Sequence, residues 1–348
     1  MPARLRDLLG IDEPIVLGPF GGASSVELTA LVSERGGLGS FGLYGYSPER
    51  IHEVIGSLRS ATDRPFAVNL WLPTGDEVTP GDLDLQPYLD AVAPLYAEVG
   101  VRPPTPPAVF LPSFDEQFDA VLDAAPAVVS FVYGVPAPDV IDRAHRRGLR
   151  VLATATTVAE ARALHEAGVD AIVASGMEAA GHRVSFLRPA EQSLVGLFSL
   201  LPQVVDAVSV PVIAAGGIAD RRGVSAAFAL GASGVQVGTA FLRARQSAVP
   251  ESHRTAICDA DDTSTVLTRA MSGRLARGIP NRAMREIETS GPVAPFPAQN
   301  WLTGAFRVEA AKQGRGDLLS LWAGQSAALA TREDAGEVFA ELLAGVPR

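Results

Sequence analysis

One cysteine, Cys258, is too few for an internal disulfide framework or for a cysteine-rich zinc or iron–sulfur site. The histidines His52, His145, His165, His182 and His253 are scattered without a close ligand pair such as HExxH, so no metal is expected. No apolar run approaches the length needed to span a bilayer, and the opening MPARLRDLLGIDEP has charges with no sustained apolar segment behind them. A soluble, cytoplasmic protein with no membrane partner is therefore expected. Lysine and arginine nowhere form a block long enough to track a phosphate backbone. Acidic residues outnumber basic ones, 39 to 29, for a formal net charge of -10. That balance argues against a nucleic-acid partner. What the chain does have is length and apolar content: 348 residues at 47% hydrophobic can bury a large core, as one long domain or one domain carrying an insertion.

Short apolar segments recur along it: PIVLG at 14–18, GLGSFG at 37–42, PFAVNLWL at 65–72, AVVSFVYG at 127–134, LRVLATAT at 149–156, DAIVASG at 170–176, VPVIAAGG at 210–217 and GVQVGTAFL at 234–242. Most are continuous rather than alternating in hydrophobicity, which is how a strand covered on both faces reads. Helical patterns lie between them, several opening on Ser, Thr, Pro or Asp and closing on Gly. Eight such units predict an α/β protein, a (β/α)8 TIM barrel. An open doubly wound sheet is the competing architecture, because periodicity does not show whether the eighth strand pairs with the first. Two regions break the unit. Residues 73–112 are proline-rich with one helical pattern near 86–99, and read as an insertion over the end of the barrel that carries active sites. The expected organisation is a barrel over 1–243 with that insertion, a cap or substrate subdomain over 244–300, and a segment over 301–348 returning to the barrel mouth.

In such a barrel, function sits on the loops after the strands. The first loop, GPFGGASS, has small residues that would let a planar cofactor approach main chain, or simply turn into a helix capped by Ser24 or Ser25; it supplies neither a GxGxxG nor a GxxxxGK(S/T) fingerprint. Asn69, in an otherwise apolar strand end, is either a loop clamp or a ligand contact. Gly216 and Gly217 after strand seven, with Gly238 and Thr239 after strand eight, can present backbone N–H groups to a phosphate. His182 is the one histidine on a strand-end loop, with Gly181 leaving room beside it, and imidazole exchanges protons near neutral pH. Glu178 either orients His182 or caps a turn. Arg183 either attracts an anionic substrate or faces solvent, and Tyr133 either lines the mouth or fills the core.

Several segments together resemble the nitronate monooxygenase family, FMN-dependent barrels formerly called 2-nitropropane dioxygenases: PIVLGPFGG at 14–22, LVSERGGLGSFG at 31–42, SGMEAAGHR at 175–183, VPVIAAGGIADRRGVSAAFALGASGVQVGTAFL at 210–242, DTSTVLTRAMSGRLARGIPN at 262–281 and WAGQSAALA at 322–330. The resemblance implies FMN as cofactor, with Gly18, Pro19 and Phe20 beside the flavin ring and Asn69 and Ser175 on the cofactor side. It has Gly181, Gly217, Gly238 and Thr239 help hold FMN, the last three chiefly around its phosphate, with Gly216 of the same loop also a cofactor-binding candidate, and brings Gln325 and Ser326 near it from the returning segment. His182 matches the family's catalytic histidine, and His182, Arg183 and Tyr133 are the substrate-binding candidates. The family usually has methionine at Phe20, glutamine at Ser175, glycine at Ala180 and often glycine at Val184, departures that bear on substrate and rate rather than on FMN binding. The implied reaction is oxidation of an alkyl nitronate with O2 to a carbonyl compound and nitrite. An NAD(P)H-dependent flavin reductase of quinones or enoyl thioesters is the enzymatic alternative, and a non-catalytic flavin-binding barrel the other. A homodimer is compatible with the composition.

Overall fold

The structure, a computed structural model, describes residues 2–347. Its strands are β1 (Ile15–Leu17), β2 (Gly39–Gly42), β3 (Phe66–Trp71), β4 (Val128–Val132), β5 (Arg150–Ala155), β6 (Ala171–Ser175), β7 (Gly181–His182), β8 (Val212–Ala215), β9 (Gly234–Val237), β10 (Val266–Thr268) and β11 (Ala276–Gly278). Eight of them form one parallel sheet in the order β1-β9-β8-β6-β5-β4-β3-β2. Closure is direct: Leu17 N–H donates to the Leu38 carbonyl and Leu38 N–H to the Ile15 carbonyl, both at 2.9 Å, joining β1 to the start of β2. The chain is a (β/α)8 barrel, and the open sheet is excluded. Its strands are almost wholly buried on both faces, which is why their sequences run apolar rather than alternating. Residues 37–42 match GxGxxG in form, but they lead into and make β2 itself rather than a phosphate-binding turn.

The helices start where side-chain oxygens can satisfy the free N–H groups of a first turn. Ser25 accepts from Leu28 N–H, Thr157 from Glu160 N–H, and Asp220 from Arg222 and Gly223 N–H. The helix Pro2–Leu9 lays Leu5 and Leu9 against barrel-interior residues such as Val16, Val128 and Ile213, closing the bottom. The outer ring's eighth helix is not contiguous with β9. It is Ala335–Leu343, which packs on the helices Val26–Glu34 and Arg221–Ala229, with Phe339 and Leu342 buried. Each of those side chains contributes about 2–3 kcal/mol of apolar burial. The barrel therefore extends beyond the expected 1–243, because its last helix is supplied from the chain's end.

Between β9 and that helix, residues 244–334 rise over the mouth. A second apolar core joins Val92, Leu95 and Tyr96 of the helix Gln86–Glu98 to Met284, Leu302 and Phe306 from the later segment. The 73–112 insertion and the later segment thus share one core. The helix Ala298–Lys312 runs through the expected boundary at 300/301, so the cap does not end there. A small sheet, β10-β11-β7, connects this layer to the barrel: His182 pairs with Ala276 and Gly181 with Arg277 in antiparallel register.

Candidate functional site

His182 stands on β7, a two-residue strand that exists because β11 supplies it with an edge. The ring meets Trp71 edge-on at 5.0 Å and Trp322 at 5.6 Å between centroids. Its Nε2 lies 2.8 Å from Ser272 Oγ. Ser272 Oγ also lies 3.3 Å from the Arg274 carbonyl, to which it can donate. When it does, it accepts the Nε2–H and leaves the lone pair on Nδ1, which has no protein hydrogen bond among the described residues. Burial pushes the His182 pKa down to about 3, and the positive charges of Arg274 and Arg307 push the same way. The imidazole is neutral at pH 7.

Around it the cap places charge on an aromatic floor. The Arg274 guanidinium lies 3.9 Å from the Phe296 ring centroid and 4.4 Å from that of Tyr133, and pairs with Asp76 and Glu77 at 2.7 Å each. Arg307 has no carboxylate partner among the described residues. It donates to the Thr303 and Asn300 carbonyls, Asn300 Oδ1 and Ser320 Oγ, and burial lowers its pKa to about 10 against the opposing pull of Tyr44 and Tyr96. Tyr133 takes φ 72°, a left-handed backbone that costs a non-glycine residue about 1–2 kcal/mol. Its hydroxyl is buried without a hydrogen-bond partner, and burial raises its pKa.

Three strand-end loops meet on the other side, tied by the segment Gly324–Ser326. Gln325 N–H donates to the Glu178 carbonyl at 3.0 Å after β6, Ser326 Oγ to the Gly217 carbonyl at 2.7 Å after β8, and Gly324 N–H to Thr239 Oγ1 at 2.9 Å after β9. Residue 324 must be glycine, since a Cβ there would lie 2.7 Å from the Glu178 carbonyl oxygen. Gly216 and Gly217, at φ 100° and 70°, turn β8 into its loop.

A sequence profile of the nitronate monooxygenase family matches residues 3–345. The chain belongs to that family. Its FMN-dependent barrel members include a probable nitronate monooxygenase of Staphylococcus aureus strain Newman, 40% identical over 347 residues that cover 98% of this chain and 96% of that protein. The crystal structure of nitroalkane oxidase from Streptomyces ansochromogenes has a TM-score of 0.88 and 38% identity, covering 97% of this chain and 96% of that one. FabK from Thermotoga maritima has a TM-score of 0.75 and 31% identity, covering 98% and 94%. The family places this chain among flavin-dependent oxidoreductases.

The residues present fit such a cofactor. The backbone N–H groups of Gly217, Gly238 and Thr239 donate to no protein acceptor among the described residues, and they stand at adjacent strand ends. A Cβ at Gly181 would meet nothing within 4 Å, and at Gly238 only the Phe20 ring at 3.5 Å. Unused donors beside open space at the C-terminal rim are what an anionic group requires.

The structure brings Gly18, Phe20 and Gly238 together, with the Phe20 ring edge 3.4 Å from where a Gly18 Cβ would stand. Ser24 Oγ accepts from Phe20 N–H and Gly42 N–H, holding the first loop against β2. Pro19 lies half-buried within that same turn. Asn69 pins two strands, its amide donating to the Ser130 carbonyl and hydroxyl at 3.1 and 3.0 Å, so the clamp is present. Ser175 is buried at the end of β6. Arg183 requires a correction: it neither faces solvent nor waits for an anion in the mouth. It is 2% exposed, and its guanidinium donates to the Gly176 and Ser175 carbonyls at 2.7 and 3.2 Å, bracing the β6 loop from behind. Burial lowers its pKa to about 10 against the pull of Glu178. Glu178 accepts from Leu197 N–H at 2.9 Å, at the start of the helix Leu197–Ala207, and does not orient His182. Ser272 does. Ser272, Trp71, Arg274, Arg307 and Trp322 were not singled out by sequence reasoning; Trp71 carried a signal as a strand-end aromatic two residues past Asn69, and Ser272, Arg274 and Trp322 lie within the family-like segments 262–281 and 322–330, while Arg307 carried none.

Proposed function

We propose that this protein is an FMN-dependent nitronate monooxygenase that oxidises alkyl nitronates with O2 to carbonyl compounds and nitrite. The observation that carries the reading is the His182 imidazole, fixed at Nε2 by Ser272 with Nδ1 free of protein partners, beside Arg307, a buried cation with no carboxylate partner among the described residues. An imidazole held neutral chiefly by burial is a weak base toward a nitroalkane carbon, while the unpaired charge of Arg307 attracts an anion that has already lost its proton. A nitronate is such an anion. The relatives named for nitronate and nitroalkane chemistry support this choice.

In this reading, the N–H groups of Gly217, Gly238 and Thr239 would hold the FMN phosphate, and the Gly18–Pro19–Phe20 turn would border the flavin. FMN supplies electron transfer between the nitronate and O2. His182, fixed at Nε2 by Ser272, orients the nitronate through Nδ1, and the Trp71 and Trp322 rings keep water from that contact. The buried Tyr133 hydroxyl is a donor with nothing to donate to until an anion enters.

The test is anaerobic mixing of the flavin-loaded protein with ethyl nitronate, NADH and NADPH in turn. Bleaching of the flavin by the nitronate, with little reaction of either nicotinamide, is expected. Fast bleaching by NADH or NADPH with none by nitronates supports instead a flavin reductase of quinones or enoyl thioesters.

A further inference from the structure

Trp71, whose ring touches His182, is also a wall of a cavity of about 260 Å3. The remaining surface is mostly apolar, formed by Leu72, Val78, Phe110, Leu111 and Phe114 with the ring of Phe296. Its main polar side chains are already engaged. Glu77 and Arg274 pair at 2.7 Å, and Gln117 donates to the Tyr46 carbonyl at 2.7 Å. A second cavity of about 290 Å3 adjoins it, since Tyr44, Phe110, Leu111 and Pro297 are walls of both. An apolar space with its polar groups satisfied attracts hydrocarbon rather than charge. The 73–112 insertion lines both cavities, meeting barrel strand-end residues such as Tyr44 and Trp71 and the barrel helix residue Phe114 in the first, and the start of the helix Ala298–Lys312 in the second.

We propose that these two cavities are a tail subsite, and that the substrate joins its reactive anion at His182 to an extended, unbranched alkyl chain lying over Trp71 and along Phe110 and Leu111. The proposal rests on the nitronate reading for the identity of the reactive end, and on the cavities for the tail. A one- or two-carbon nitronate leaves both cavities unfilled, and every methylene that enters adds buried apolar surface in a space already shaped for it. Phe110 and Leu111 are then specificity-determining residues, because they are shared by both cavities and decide how far a chain can run.

The flavin-loaded protein is assayed with ethyl, butyl, hexyl and octyl nitronate, and binding of acetate and octanoate is followed through the visible flavin spectrum without turnover. Expected is a rise in kcat/KM of about three- to fourfold per added methylene until the cavities are full, and octanoate binding at least tenfold tighter than acetate. Leu111→Trp fills the shared wall and should bring both ratios toward one, while Leu111→Ala moves the plateau to longer chains; retained flavin absorbance reports that each variant is folded. Equal kcat/KM for ethyl and octyl nitronate, with octanoate no tighter than acetate, overturns the tail subsite and leaves the nitronate reading standing. No turnover of any nitronate, with octanoate still preferred and the preference lost in Leu111→Trp, does the reverse.

Discussion

His182 offers a direct test of the site, because its environment makes a signed prediction. A free histidine titrates near 6.5, whereas burial and two nearby arginines hold His182 at about 3. Between those values the unfolded chain binds a proton that the folded protein refuses, so stability rises with pH across this window. The contribution is complete above about pH 6.5 and is lost as pH falls toward 3. At pH 5 the loss from this group is about 2 kcal/mol, from about 1.4 kcal/mol for each of the one and a half units below 6.5. That figure is an upper one, since the ring edge reaches the open side of the site. His182→Gln cannot titrate, and should abolish that part of the stability difference between pH 7.5 and pH 5. His253, also pushed down, to about 4, is present in both proteins and cancels. The assay is a pair of denaturant titrations at each pH, with the imidazole followed by NMR and assigned by its absence in the variant. A His182 resonance that titrates at 6 or above would refute the reasoning, and with it the neutral imidazole on which the anionic substrate is argued. The kinetic counterpart is that kcat/KM for a nitronate carries no acid limb from His182 between pH 5 and 8.

Three further perturbations separate the parts of the site. Ser272→Ala removes the partner of His182 Nε2, a hydrogen bond of about 1 kcal/mol, so kcat/KM should fall about five- to tenfold with flavin content unchanged; wild-type rates would remove Ser272 from a positioning role. Gly324→Ala drives a methyl group into the Glu178 carbonyl and displaces the segment that ties three loops. Flavin titration by fluorescence should show at least fivefold weaker FMN binding, consistent with about 1–3 kcal/mol of overpacking, and undiminished affinity would show that the segment does not support the cradle. Tyr133→Phe deletes a hydroxyl that has no partner, so thermal stability of the ligand-free protein should hold or rise by up to about 1 kcal/mol while nitronate kcat/KM falls. A large loss of stability would mean that the phenol is structural.

The barrel was legible because its signal is local and repeated. Strands buried on both faces read as apolar runs, and capping residues bracket the helices between them. The eighth helix was not recognised, since AGEVFAELL begins almost a hundred residues after the end of β9 and its place in the ring is set by packing on Val26–Glu34 and Arg221–Ala229. The same distinction runs through the site. Glycines at strand ends announce themselves, because few other residues serve a turn at positive φ or a close approach by a ligand. His182 was singled out because its loop follows a strand. Its partner was not, because Ser272 is ninety residues away and an ordinary serine until β11 pairs with β7. Arg183 was misread for a related reason: it follows Gly181 and the catalytic candidate His182 in sequence, whereas its partners in space are the Gly176 and Ser175 carbonyls behind the loop.

The cap's physical role follows from that division of labour. The barrel alone supplies donors at its rim, but β7 has no hydrogen-bonded edge without β11, and His182 has no partner without Ser272. The segment after the cap then returns to bind the loops of β6, β8 and β9 before the chain reaches its last barrel helix. Folding of the outer ring and assembly of the proposed cofactor cradle therefore share one piece of chain, Gly324–Ser326. Binding energy gained at the cradle feeds back onto closure of the ring, so FMN should raise the unfolding temperature of the C-terminal helix along with that of the mouth. Hydrogen exchange is the direct measurement. Protection of Ala335–Leu343 amides that increases with FMN, although the helix lies on the outer ring, would follow from this coupling, and protection confined to the loops would show that the return segment is only a tether.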